Sequence, residues 1–417
     1  MPRHRKDESH AQPAWPRVHL AIDNCFASKR WTAPAEWARV VKDLGLTFVE
    51  ASADTECDPL YSDAGYLEDW LDRVEAACQS TGVRVANLYS GHGTYATLGL
   101  GHTDARNRRR MLDNWLKVMV ASAARLQAGL GFYVHAFCDA VLQDRRAYEA
   151  AEQQLYDDLA ELAAYARQCG LRAIGVEQMY TPHQTPWTIV GARRLLGEVL
   201  RRAGHPFYIT IDTGHQSGQR KFLRPRRTHL KRALVRFRTS GKLGGLWLGT
   251  NRAYGYFRQA GAATASRQDT YLRKVEAEMD GNLHLFASAE DGDPYAWLEQ
   301  LACYAPIIHL QQTDGNTSDH LPFTSTCNRK GIIRPEKVLK AIAASYARPV
   351  EPGMPPRCTD IYMTLELFSW TKDTTVEILE RLADSVACWR KHIPADGLTL
   401  ADLTSAKRSA DNAYAKR

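Results

Sequence analysis

The chain has 417 residues, of which 44% are hydrophobic and 24% charged, with a formal net charge of +7. That length suits one large barrel or two medium domains, and the composition is that of a globular protein rather than a disordered one. No run of about 18 apolar residues occurs, so no membrane-spanning helix is expected, and the positive charge mildly favours an anionic partner.

Residues 1–16 are polar and basic and lack the apolar core of a secretory signal, so they read as a disordered lead to a cytoplasmic protein. Short β-type runs then alternate with longer helical patterns. Val18 to Ile22 is the first strand and ends in Asp23-Asn24. A helix is expected over Pro34 to Leu44, and a second strand over Phe48 to Ala51. Leu67, Trp70, Leu71, Val74 and Ala77 fall at helical spacing within Leu67 to Thr81. Val83 to Tyr89 is the third strand and runs into Ser90-Gly-His92-Gly. A long helix from Asp104 to Ala128 precedes a fourth strand, Gly131 to Ala136, which carries His135. Arg145 to Cys169 is helical and is closed by Gly170. Leu171 to Glu177 is the fifth strand. Thr188 is placed to cap a helix running to Ala203. Phe207 to Asp212 is the sixth strand.

The rhythm then breaks. Residues 216–280 are basic and contain Gly and aromatic residues, and they read as an insertion after the sixth strand. Arg220 to Lys242 holds ten basic side chains and no acid. A solvated face, a phosphate-binding surface and a subunit contact in a homo-oligomer all fit such a run. A helix at Pro294 to Cys303, a seventh strand at Ile307 to Leu310, a helix at Arg334 to Tyr346, an eighth strand at Ile361 to Leu367 and a closing helix at Thr374 to Lys391 complete the series. Eight strand–helix units are the (β/α)8 TIM-barrel count, so the barrel is assigned to residues 17–395 and a loose tail to 396–417. A doubly wound open sheet would need a Gly-rich turn after the first strand, and Asp23-Asn24-Cys25-Phe26 offers none.

Barrel enzymes carry their chemistry at the carboxyl ends of the strands. Glu177 ends Ala173-Ile-Gly-Val-Glu177. Asp212 ends Tyr208-Ile-Thr-Ile-Asp212. His309 lies near the end of its strand, and Glu366 ends Tyr362-Met-Thr-Leu-Glu366. Each ionisable group follows an apolar run and needs a partner once buried. A single cation at the barrel mouth is the economical common partner. The nine cysteines are scattered without a Cys-x-x-Cys pair, which argues against thiolate ligation and a disulfide framework. An oxygen and imidazole set suits Mn²⁺ first, with Mg²⁺, Co²⁺ or Zn²⁺ as alternatives.

The runs Val176-Glu177, Ile211-Asp212-Thr213-Gly214-His215, Ile308-His309 and Leu365-Glu366 resemble the xylose-isomerase-like TIM-barrel superfamily. Within it they look most like sugar-phosphate isomerases and the ketose 3-epimerases of the tagatose and psicose type. The resemblance implies one divalent ion on Glu177, Asp212, His309 and Glu366, with His215 touching substrate. It also implies isomerisation or epimerisation of a small sugar or sugar phosphate, through an enediolate that the metal stabilises. Glu177 and Glu366 would be its acid and base.

Other substrate-side candidates are Glu50, His92, His135, Trp187 and Gln312, the last in a polar loop after the seventh strand; Trp370 is a candidate wall. One rival reading is a multinuclear-zinc phosphodiesterase like the barrel-type apurinic endonucleases. It would use His92 and His135 for further metals and would bind nucleic acid through the positive charge, but its Asp-x-His run is replaced here by adjacent Asp319-His320. A lyase cleaving a carbon-linked sugar and a non-catalytic carbohydrate-binding barrel are the other rivals.

Overall fold

The computed structural model describes residues 15–91 and 97–405. Its strands are β1 (Arg17–Asp23), β2 (Phe48–Ser52), β3 (Arg84–Ser90), β4 (Gly129–Phe132), β5 (Ile174–Glu177), β6 (Tyr208–Asp212), β7 (Ile307–Leu310), β8 (Asp360–Leu365) and β9 (Leu398–Thr399). β1 to β8 pair in parallel, each with its neighbour, and β8 and β2 both pair with β1, so the sheet closes into a (β/α)8 barrel. β9 is the exception, antiparallel to β1.

Strand alternation sorts the side chains. Outward residues such as Val176, Ile211, Ile308 and Leu365 are fully buried under the helices, with Trp37, Trp70, Trp115, Trp297 and Trp389. Inward residues form a separate apolar plug low in the barrel, made of Ala21, Phe48, Ala86, Ile307 and Tyr362. Above that plug the inward positions turn polar.

Several sequence expectations shift in the structure. β4 begins at Gly129 and ends at Phe132, so His135 lies beyond the strand, with a left-handed φ of 65°. Glycine has low strand propensity, which hid the Gly129–Gly131 start. The stretch after β6 is helical: Arg227–Ser240, Asn251–Ala262 and Ala265–Gly281. Part of its positive charge is met by acids later in the same stretch. Arg224 pairs with Asp280, Arg227 with Asp269 and Glu276, and Arg252 with Glu278.

The part of the expected loose tail that is described, residues 396–405, is ordered. β1 pairs with β2 only from Ala21 onward, which leaves the edge at Arg17 and Val18 open, and β9 takes it. Asp396 accepts the Leu20 N–H at 2.9 Å, and Leu400 is fully buried. Among the described residues no helix is long and apolar enough to cross a membrane.

Gly175 sits where β5 crowds β6. A Cβ there would lie 2.7 Å from the Tyr208 carbonyl oxygen, an atom fixed by the ladder that pairs the two residues. Gly175→Ala is therefore expected to destabilise the fold by about 1–3 kcal/mol, the usual cost of overpacking. Urea unfolding measures it, and an unchanged midpoint would show that β6 can move aside.

Candidate metal centre

Five carboxylates converge above the apolar plug: Asp23, Glu50, Glu177, Asp212 and Glu366, none more than 7% exposed. No lysine or arginine is buried among the described residues. Ligand atoms of Glu177, Asp212, His309 and Glu366 all lie within 4.8 Å of one another. Two carboxylates about 4 Å apart repel by about 4 kcal/mol even at an effective dielectric of 20. Such a group calls for positive charge at its centre.

His309 is the pivot. Its Nε2 lies 2.9 Å from Glu50 Oε2, and its Nδ1 lies 2.8 Å from Glu177 Oε1 and 3.2 Å from Glu366 Oε2. An N–H donated to Glu50 leaves Nδ1 as a lone pair facing two carboxylates, which is repulsive unless a cation or a second proton lies between them. Burial opposes a charge on the ring, but Glu366, Glu50 and Glu177 outweigh it and hold His309 protonated well above the usual imidazole range when no other cation is present. Glu366 Oε2 is buried and makes no hydrogen bond, although His309 and His320 stand within ion-pair distance. The donor set and this unsatisfied oxygen fit a divalent ion. In a shell of oxygen and nitrogen ligands at about 2.1–2.3 Å, opposite ligands stand about 4–5 Å apart.

The second layer fixes these groups. Asn87 donates to Glu50 Oε1 at 2.6 Å. The Tyr89 hydroxyl donates to Glu177 Oε2. A register shift between Val49 and Glu50 sets Asn87 opposite Glu50. Asp212 Oδ1 accepts the backbone N–H groups of Gly214 and His215 at 2.6 and 3.0 Å, folding the chain into a turn directly after β6. Gln311 Nε2 donates to both Asp212 oxygens, at 2.9 and 3.0 Å. Burial raises the Asp212 carboxyl above its ordinary value, against the pull of His215. His215 donates Nδ1–H to the Gln178 carbonyl at 2.7 Å, so its Nε2 is the ring atom left for the mouth, and its ring meets Tyr180 edge to face.

The other candidates divide. Glu50 lies in the cluster as a partner of His309. His135 packs against Trp115 and Tyr133, with the 99–101 turn close over its ring, and is not among the four clustered ligands. His92 lies outside the described residues. Trp187 packs edge-on to Phe222 and borders a different cavity with Tyr148 and His284. Gln312 is turned away, its amide spent on Asn328, Ile333 and the Thr313 N–H. One residue earlier in the alternation, Gln311 holds the position expected of Gln312. Trp370 is 56% exposed, and Phe368 walls the site instead, stacked on His320 at 3.8 Å.

His320 is a site residue that sequence reasoning missed. Burial disfavours its charge, but Glu366 and Asp212 pull its pKa up to about 9. The loop between residues 311 and 321 doubles back through a bridge between Gln312 and Leu321, which returns His320 to Glu366. Tyr89 and Gln311 were missed as well. For Tyr89 the available signal was the inward alternation from Asn87.

Eight parallel strands closed on themselves make this a (β/α)8 barrel, and known proteins resemble it in that fold and in part of its sequence. The family model described as xylose isomerase-like TIM barrel matches residues 38–236. The chain is 36% identical over 118 residues to D-erythrulose 1-phosphate 3-epimerase of Brucella abortus (strain 2308), a match covering 28% of this chain and 34% of that relative. The fold superposes on a candidate xylose isomerase from Rhodospirillum rubrum with a TM-score of 0.64 at 19% identity, covering 90% of this chain and 99% of the other. An L-ribulose 3-epimerase structure gives a TM-score of 0.50 at 14% identity, covering 95% and 98%. D-psicose 3-epimerase in the presence of D-fructose gives 0.50 at 12%, covering 89% and 98%.

Glu50→Gln should keep the Nε2–H contact of His309 but lose the charge that strengthens its Nδ1 lone pair. Affinity for Mn²⁺, titrated calorimetrically, should fall about 10–100-fold, the usual effect of losing such a supporting group. Equal affinity would mean that His309 is oriented without Glu50.

Proposed function

We propose that this protein is a metal-dependent ketose or ketose-phosphate isomerase or epimerase. One observation carries the reading: four ligand residues, two of them glutamates on β5 and at the end of β8, meet in a buried group at the carboxyl end of the barrel. The Brucella relative, whose name specifies a phosphorylated ketose and inversion at carbon 3, supports the substrate class.

Glu177, Asp212, His309 and Glu366 would hold one divalent ion, Mn²⁺ before Mg²⁺, Co²⁺ or Zn²⁺. When bound, the ion supplies a Lewis acid for the substrate's carbonyl and neighbouring hydroxyl oxygens. The remaining work belongs to the chain. Glu177 and Glu366 stand on strands separated by β6 and β7, so they can approach one substrate carbon from two sides. One removes the proton beside the carbonyl, and the other returns a proton to the opposite face or to the adjacent carbon. The Tyr89 hydroxyl donates to Glu177 and fixes the position of its carboxylate. His215, with Nδ1–H committed to the Gln178 carbonyl, offers Nε2 to a substrate hydroxyl. Tyr180 and the Phe368–His320 stack wall the space and limit water.

The decisive experiment incubates ketoses and ketose phosphates with Mn²⁺-loaded protein in D₂O and reads proton NMR after removing the metal. Deuterium should enter at the carbon next to the carbonyl. Glu366→Gln should lower turnover by about 10²–10⁴, the range for a positioned acid–base group, with an unchanged thermal midpoint. Exchange undiminished in this variant would remove Glu366 from the mechanism, and no exchange with any ketose would remove the reading itself.

A further inference from the structure

The opposite end of the barrel carries a second charged cavity. It has a volume of about 720 Å³ and opens at the amino ends of the strands. Its floor is aromatic: His19, Phe48 and Tyr362 lie with ring centroids 4.9 to 5.1 Å apart. Its lining holds four arginines, Arg17, Arg84, Arg125 and Arg172, against two acids, Glu75 and Asp360.

The acids are already engaged. Asp360 accepts from Arg17 at 2.9 and 3.0 Å and lies 2.9 Å from His19 Nε2. Glu75 accepts from Arg125, which also reaches Glu68 and Asp72. Arg84 and Arg172 have no carboxylate within ion-pair distance among the described residues. Their guanidiniums lie over aromatic rings instead, Arg84 at 5.3 Å above Phe48 and Arg172 at 5.0 Å above Tyr362. Arg172 also donates to the Tyr362 hydroxyl. The two rings that carry them, Phe48 and Tyr362, have centroids 5.1 Å apart, so the two charges converge on one part of the cavity. His19 Nδ1, buried in the same floor, has no hydrogen-bond partner.

A guanidinium over a ring keeps its charge and most of its N–H donors; Arg172 commits one to the Tyr362 hydroxyl, and the rest of both forks meet no carboxylate among the described residues. Two such forks, preorganised and facing one cavity, match the terminal oxygens of a phosphate dianion better than a single carboxylate, which one fork would satisfy. The volume falls within the roughly 300–1,000 Å³ of small-molecule sites, so an organic group can accompany the phosphate. We propose that this basal cavity binds a small phosphate monoester, with Arg84 and Arg172 gripping the phosphate and the His19–Phe48–Tyr362 floor carrying the organic part. The site is separate from the metal centre and its ligands, and it rests on none of the catalytic reading.

The test titrates glycerol 1-phosphate, inorganic phosphate and glycerol into Mg²⁺-loaded protein by calorimetry. Saturable binding of the ester is expected, with glycerol inert. Tighter binding of the ester than of inorganic phosphate marks an organic phosphate as the ligand, and equal affinity marks free phosphate. Arg84→Gln and Arg172→Gln should each weaken binding at least about tenfold, the effect of one lost charge-assisted contact. Arg125→Gln, whose charge the three acids already consume, should stay within about twofold. Arg84→Lys and Arg172→Lys keep the charge without the fork and should bind with intermediate affinity; thermal midpoints guard against misfolding. No saturable binding at millimolar ligand, or binding that survives in both glutamine variants, overturns the proposal.

Discussion

His309 stands with a carboxylate against each ring nitrogen, and much of the barrel's upper half is arranged around that fact. Glu50 takes Nε2 at 2.9 Å, while Glu177 and Glu366 crowd Nδ1 at 2.8 and 3.2 Å. An imidazole has one lone pair or two protons to offer, and neither state satisfies three carboxylates together with the nearby Asp212 and Asp23. Burial drives the Asp23 carboxyl well above its usual range, with Glu50 and Glu366 pushing the same way. A buried excess of negative charge is the most expensive arrangement a protein interior holds, and one divalent ion relieves it at a stroke. The cluster is therefore chemically suited to hold a cation and is not a set of ion pairs that stabilise the fold.

The barrel reaches this arrangement by ordinary strand geometry. On β8, Tyr362 and Thr364 point inward and Glu366 follows at the same alternation, so one strand joins the aromatic plug at the bottom to the carboxylates at the top. Asp212 and His309 lie side by side in the β6–β7 register. Gly129, Gly131 and Gly175 leave room on the β4–β5 side: a Cβ at Gly131 would press on Asn87 and Tyr89, two of the residues that hold the glutamates. Small residues on one wall thus let longer polar side chains from β3 reach across the barrel.

The strands and the four clustered ionisable residues are legible in the sequence because each obeys a local rule: a short apolar run, closed by an ionisable group. β4 starts two residues and ends four residues before the run its sequence predicts, because its first half is Gly129-Leu130-Gly131, where strand propensity is low, while the apolar residues after Phe132 already belong to the exit loop. Gln311 and His320 were less accessible. Past the strand end the chain doubles back, and the contact between Gln312 N–H and the Leu321 carbonyl at 2.8 Å decides which glutamine faces the carboxylate cluster. No periodic pattern encodes a loop's return path. The basic stretch after Arg220 misled in another way, since the acids that answer it, Asp269, Glu276 and Asp280, lie roughly forty to sixty residues later in sequence.

The two ends of the barrel differ in how they treat charge, and the difference follows from what lies next to each. At the carboxyl end, carboxylates face a polar interior with few donors, so much of their charge is left uncompensated. At the amino end, arginines face an aromatic floor, where guanidiniums lie over rings that do not neutralise them. Between the two runs a short chain of contacts. Asn87 borders an inner cavity of about 280 Å³ that also touches Arg172 and Tyr362, and the same Asn87 side chain holds Glu50, which holds His309. Asn87, which shares that cavity with Tyr362 and Arg172, therefore lies two hydrogen bonds from the His309 imidazole. That connection is spatial, and it becomes energetic only if Asn87 has two arrangements that the ends of the barrel populate differently. The tight bond from Asn87 to Glu50 argues for one. A single rigid arrangement would make the lower half a support that fixes His309, with occupancy of the basal cavity felt as added stability and without a change in the chemistry above.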